Sequence, residues 1–86
     1  MQLVVVGVNQ QTAPVVVRER LAVSPARLPE ALAHLRGVVA EGFLLSTCNR
    51  VEIVALVGHA ESGAASLTRF LAEQGGLPAE SVETHM

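Results

Sequence analysis

The stretch Ser46-Thr47-Cys48-Asn49-Arg50 holds the single cysteine of the chain, flanked by two hydroxyls, an amide and a guanidinium, between the apolar runs FLL and VEIVALV. A thiol in such company can act as a nucleophile. The thiolate is the reactive form, and with a free-thiol pKa near 8.5 only a small share is ionised at neutral pH unless a cation or helix N-terminus stabilises it. Arg50 is the nearby cation. It can lower the thiol pKa, or its planar fork can bind a substrate carboxylate while the thiol attacks another carbonyl of the same molecule; spacing does not choose between these roles. Ser46, Thr47 and Asn49 supply hydrogen-bonding groups for a polar substrate. The plain alternative is a small buried residue, since free cysteine is among the most buried types. Four polar neighbours in a row argue for exposure instead.

No second catalytic partner stands out. His34 falls in a helical segment, His59 follows an extended run and His85 is near the last residue; each reads as a surface or boundary residue, and a three-histidine metal site is not expected. One cysteine excludes an internal disulfide and a cysteine-rich metal site. The glycines at 7, 37, 42, 58 and 63 do not form a dinucleotide fingerprint.

These residues must be positioned by a small scaffold. The chain has 86 residues, 50% of them hydrophobic, with Phe43 and Phe70 as the only aromatics, so a single core of Val, Leu and Ala is expected, burying about 60–65% of the unfolded surface. Every acid is Glu and every base Arg, with net charge −2, which argues against a domain that grips nucleic acid by charge alone. Arg18 and Arg20 are candidates for phosphate contact, although solvated surface charge is the simpler reading. No apolar run approaches the length of a membrane span and no signal peptide is evident; a cytoplasmic protein is expected.

Along the chain, QLVVVGV (2–8) reads as a strand buried on both faces or covered by helices on one, and NQQTAP as a polar turn. A short helical turn is expected near 16–21. Ser24-Pro25 reads as a helix start, with Leu28, Ala31, Leu32, Leu35 and Val39 on one face and Pro29 disturbing the first turn. Residues 43–46 and 51–57 read as two strands whose four-residue connection forces antiparallel pairing. Residues 60–74 form an amphipathic helix stopped by Gly75-Gly76, and 82–86 read as the start of a last strand. The order β-α-β-β-α-β is the ferredoxin-like pattern in the α+β class, a four-stranded antiparallel sheet with two helices on one face, presenting Thr47, Cys48, Asn49 and Arg50 at a hairpin tip. The abrupt last strand reads as the edge of an excised N-terminal domain covering 1–86.

GVNQQTAPVVVRERL (7–21) followed by LLSTCNRVEI (44–53) resembles the N-terminal domain of glutamyl-tRNA reductase across the whole chain, most specifically in the Ser-Thr-Cys-Asn-Arg-x-Glu block. The resemblance implies that Cys48 attacks the ester joining glutamate to its tRNA, giving an enzyme thioester that NADPH reduces to glutamate semialdehyde at the entry to tetrapyrrole synthesis. It implies that Thr47, Asn49 and Arg50 line the glutamate pocket, Arg50 taking the carboxylate. It further implies a homodimeric full-length enzyme with its NADPH-binding domain outside these residues, and no metal. Gln10 stands where that family usually has histidine, and a further family histidine lies outside the chain. A non-catalytic ligand-binding or regulatory module on the same fold is the alternative.

Overall fold

The computed structural model describes residues 1–47 and 49–86. Among the described residues, seven elements follow one another: β1 (Gln2–Asn9), α1 (Val15–Leu21), α2 (Leu28–Arg36), β2 (Glu41–Ser46), β3 (Arg50–Val57), α3 (Ala60–Gly75) and α4 (Ala79–Thr84). The class is α+β. The sheet has three strands in the order β1-β3-β2, and both neighbour pairs are antiparallel.

Period-two alternation decides which side of the sheet is buried. Val6 and Val8 of β1 and Val51, Ile53, Ala55 and Val57 of β3 point to one face and are buried, whereas Leu3, Val5, Phe43 and Leu45 lie on the other and remain exposed. The expectation of helical cover on one side of β1 holds. The buried face meets Leu67, Phe70 and Leu71 of α3, together with Leu21, Leu35 and Val82 from the other three helices. Each fully buried aliphatic side chain of this kind contributes about 1.5–3 kcal/mol of transfer free energy, so the valine-leucine core needs no large aromatic cluster.

Two expectations are corrected. The fourth strand, placed at 82–86, is helix α4. Pro78 precedes its first turn, and Ala79 and Val82, three residues apart, turn inward onto the core while Glu80 and Glu83 face solvent. That is helical rather than alternating spacing, so the sheet has three strands and four helices accompany it. The helix expected from Ser24-Pro25 begins at Leu28 instead, after a turn closed by hydrogen bonds from the Arg27 and Leu28 amides to the Ser24 carbonyl. Pro29 is the cause. A helix from residue 25 would need an amide at 29 that proline lacks, whereas in the first turn of α2 the missing donor costs nothing. The Ser24 hydroxyl does not cap it.

At its C-terminus, α3 stops as expected. Gly76 adopts φ 65°, ψ 33°, the left-handed conformation that favours glycine, and the Leu77 amide donates to the Ala72 carbonyl at 3.0 Å. Arg20 of α1 donates from Nε to the Gly75 carbonyl and from a terminal nitrogen to the Gly76 carbonyl, both at 3.2 Å. Arg27 adds a bond to the Gln74 carbonyl at 3.2 Å. Two guanidinium groups therefore cover the negative end of the longest helix dipole. Arg20, a candidate for phosphate contact, spends its donors there; Arg18, on the same helix, is half-buried.

Candidate functional site

Antiparallel pairing of β1 with β3 sets Asn9 opposite Arg50, so the end of β1 and the start of β3 lie side by side. Two polar turns consequently flank one another. The first is closed by Asn9 and Thr12: the Asn9 side-chain oxygen accepts the amides of Gln11 (2.8 Å) and Thr12 (3.2 Å), and the Thr12 hydroxyl accepts the Asn9 amide at 3.0 Å. Such reciprocal side-chain bonds fix a turn without a strand ladder. The second is the tip between β2 and β3. There the Thr47 amide donates to the Arg50 carbonyl at 2.8 Å, and the Thr47 hydroxyl accepts the amides of Asn49 (3.2 Å) and Arg50 (3.1 Å). Thr47 thus holds the hairpin closed, and its hydroxyl is largely used in doing so.

Between the two turns lies a cavity of about 300 Å³ lined by Asn9, Gln10, Gln11, Thr47, Asn49 and Arg50. All six are polar. Of the four residues singled out from the sequence, Thr47, Asn49 and Arg50 come together here; Cys48 lies outside the described residues. Larger surface hollows of about 350 and 400 Å³ occur beside His59 and beside His34, but neither includes a described residue of the tip. The cavity at the tip is the better candidate because it concentrates donors and acceptors around an arginine.

Arg50 is exposed and forms an ion pair with Glu52 at 3.4 Å. Glu52 reaches it because the position opposite on β1 is Gly7. A Cβ at residue 7 would lie 2.8 Å from Glu52 Cγ and closer still to the Val51 carbonyl, so only glycine lets β1 pass the Glu52 stem. The pair runs through one guanidinium nitrogen and is long, which leaves most of the fork facing solvent and the cavity.

The histidines are elsewhere. His59 precedes α3 at the opposite end of β3 from Thr47 and Asn49, about 25 Å away for an eight-residue strand. His34 contacts Gln74 at 3.4 Å, and His85 bonds the Ser81 carbonyl at 2.7 Å. Among the described residues, no group of three His, Cys, Asp or Glu is placed to hold a metal ion. No helix among them is long and apolar enough to cross a membrane.

Reading the sequence segment by segment missed the Asn9–Gln11 wall. NQQTAP reads as a connection, and its placement beside the tip appears only when β1 is paired with β3. The signal available was topological: in a β1-β3-β2 order the end of β1 must meet the start of β3.

An α+β domain thus gathers an arginine and five uncharged polar residues at one end of its sheet. The residues that do so match a known family. The model of the glutamyl-tRNA(Glu) reductase N-terminal domain matches residues 6–86, and the chain belongs to that family. Glutamyl-tRNA reductase of Herpetosiphon aurantiacus is 51% identical over all of this chain, which corresponds to 20% of its own length. The enzyme of Roseiflexus castenholzii is 52% identical over 90% of this chain and 18% of its own, and that of Synechocystis is 42% identical over 100% and 21%. The chain therefore spans about a fifth of the length of these curated relatives.

Proposed function

We propose that this domain performs the acyl-capture step of glutamyl-tRNA reduction. The Cys48 sulfur attacks the carbonyl carbon of the ester that joins glutamate to tRNA. A carbon–sulfur bond forms, the carbon–oxygen bond of the ester breaks, and the thiol proton leaves with the tRNA hydroxyl. The product is a glutamyl thioester, which keeps the acyl group activated and fixed in place.

Arg50 binds the side-chain carboxylate of the glutamyl group and so orients its α-carbonyl toward the tip. Bidentate binding by a planar fork gives both energy and direction. Asn49 lines the same space, and Thr47 holds the tip that carries both. The observation that supports this reading is the convergence of Thr47, Asn49 and Arg50 on one polar cavity, in a chain of this family.

Reduction of the captured acyl group to glutamate semialdehyde with NADPH, at the entry to tetrapyrrole synthesis, belongs to the longer enzyme, as does its homodimeric state. Adjacent strands here all run antiparallel, and the described residues contain no glycine-rich strand-to-helix crossover of the kind that cradles a dinucleotide. They do not fit the cofactor, and no step on them is assigned to it.

Single-turnover incubation of the chain with glutamyl-tRNA tests the proposal. A burst of uncharged tRNA equal to the amount of protein is expected, absent from Cys48→Ser. No burst from the wild type, or an equal one from Cys48→Ser, would leave the non-catalytic binding module as the better account.

A further inference from the structure

If Arg50 takes the carboxylate of a glutamyl ester, the ligand carries a second charge for which the site must also provide. The α-ammonium is about 5 Å from that carboxylate in an extended glutamyl group, by ordinary bond lengths. Burying an ammonium group without acceptors is costly. Among the described residues lining the cavity none is an acid. Glu52, the acid nearest the tip in sequence, is paired with Arg50 at 3.4 Å. The side-chain acceptors facing the cavity are therefore neutral, and most are amide oxygens.

Two of them occupy the wall across from Arg50. Gln10 and Gln11 are exposed, line the cavity, and sit on a turn whose backbone is pinned by Asn9 and Thr12. That pinning uses the Gln11 main-chain amide and leaves both glutamine side chains out of the turn's own hydrogen bonds. Adjacent strands lie about 4.8 Å apart, and Asn9 pairs directly with Arg50. The turn that carries Gln10 and Gln11 and the tip that carries Arg50 are therefore neighbouring strand ends that border one cavity.

We propose that Gln10 and Gln11 are specificity-determining residues that accept hydrogen bonds from the α-ammonium of the glutamyl group. The turn at 9–12 then reads the amino group while the tip at 47–50 reads the carboxylate. The inference rests on the carboxylate reading of Arg50 and adds a selectivity that Arg50 alone cannot supply, since any small dicarboxylic monoester satisfies an arginine. Neutral acceptors also suit the site electrostatically. A carboxylate on this wall would compete with the ligand for Arg50.

Two probes separate the contributions: L-glutamic acid α-methyl ester, and monomethyl glutarate, which lacks only the amino group. Their affinities for the 86-residue chain are measured by amide chemical-shift titration. The wild type should prefer the amino ester by about tenfold, the range expected for hydrogen bonds to a charged group. Gln10→Met/Gln11→Met, which keeps side-chain length and removes the acceptors, should lose that preference while binding monomethyl glutarate within about twofold of wild type. Equal wild-type affinity for the two probes, or a preference that survives in the double variant, overturns the inference and leaves the carboxylate reading intact. Wild-type binding of neither probe, or undiminished binding of both by Arg50→Ala, overturns the carboxylate reading and the inference with it.

Discussion

Arginines in two regions of the molecule direct the same chemical group to different surroundings. At the C-terminus of α3, Arg20 and Arg27 donate to the carbonyls of Gln74, Gly75 and Gly76. At the hairpin tip, Arg50 makes a long pair with Glu52 and borders a polar cavity. The first set ties α1 and the α2 approach to the longest helix, and its donors are spent on the fold. The second is held at its stem by a strand pair and leaves most of its donors facing solvent and the cavity; in the proposed reading they serve a ligand. Residue type does not separate the roles, because all are arginines near element ends; the destination of the donors does.

The comparison breaks most sharply at Arg50. Replacement by alanine should weaken binding of L-glutamic acid α-methyl ester by about 10–100-fold, the loss expected for a charge-assisted bidentate contact. Its thermal unfolding should stay within about 0.5 kcal/mol of wild type, because the surface pair it breaks is weak. A large stability loss with unchanged binding would place Arg50 with the other set.

At the α3 end the pattern should invert. Gly76→Ala forces a side chain into the left-handed region at φ 65° and should cost about 1–2 kcal/mol of stability, measured by urea unfolding, with probe affinity unchanged. Arg20→Ala should cost less, about 0.5–1 kcal/mol, since its bonds are solvent-exposed and screened. Added salt should shrink the difference between Arg20→Ala and wild type, and a difference that persists at high salt would contradict a dipole-capping role.

The parts legible from sequence are those set by local pattern. Nearly continuous apolar runs rich in valine located β1 and β3, the four-residue spacing at 47–50 required a hairpin, and Gly75-Gly76 marked the end of α3. The parts that were not legible depend on competition between signals. Residues 82–86 place Val82 and Met86 around three polar residues, too few positions to separate a strand from a helical turn, and packing of Val82 into the core decided for α4. Ser24-Pro25 is a good start signal that a second proline at 29 overrides. At the site, Thr47, Asn49 and Arg50 were visible because they are nearly contiguous. Gln10 and Gln11 were not, because their nearness to Arg50 is a property of strand order rather than of spacing.

The central claim is that the tip carries a nucleophile toward which Arg50 aims the substrate. Intact-mass spectrometry with peptide mapping, after brief acid quench of the chain mixed with glutamyl-tRNA, tests it most directly. The account predicts a glutamyl adduct on the peptide containing Cys48, labile to hydroxylamine, missing from Cys48→Ser and much reduced in Arg50→Ala. An unmodified chain under conditions where glutamyl-tRNA remains intact, or an adduct mapped to any other residue, would contradict it.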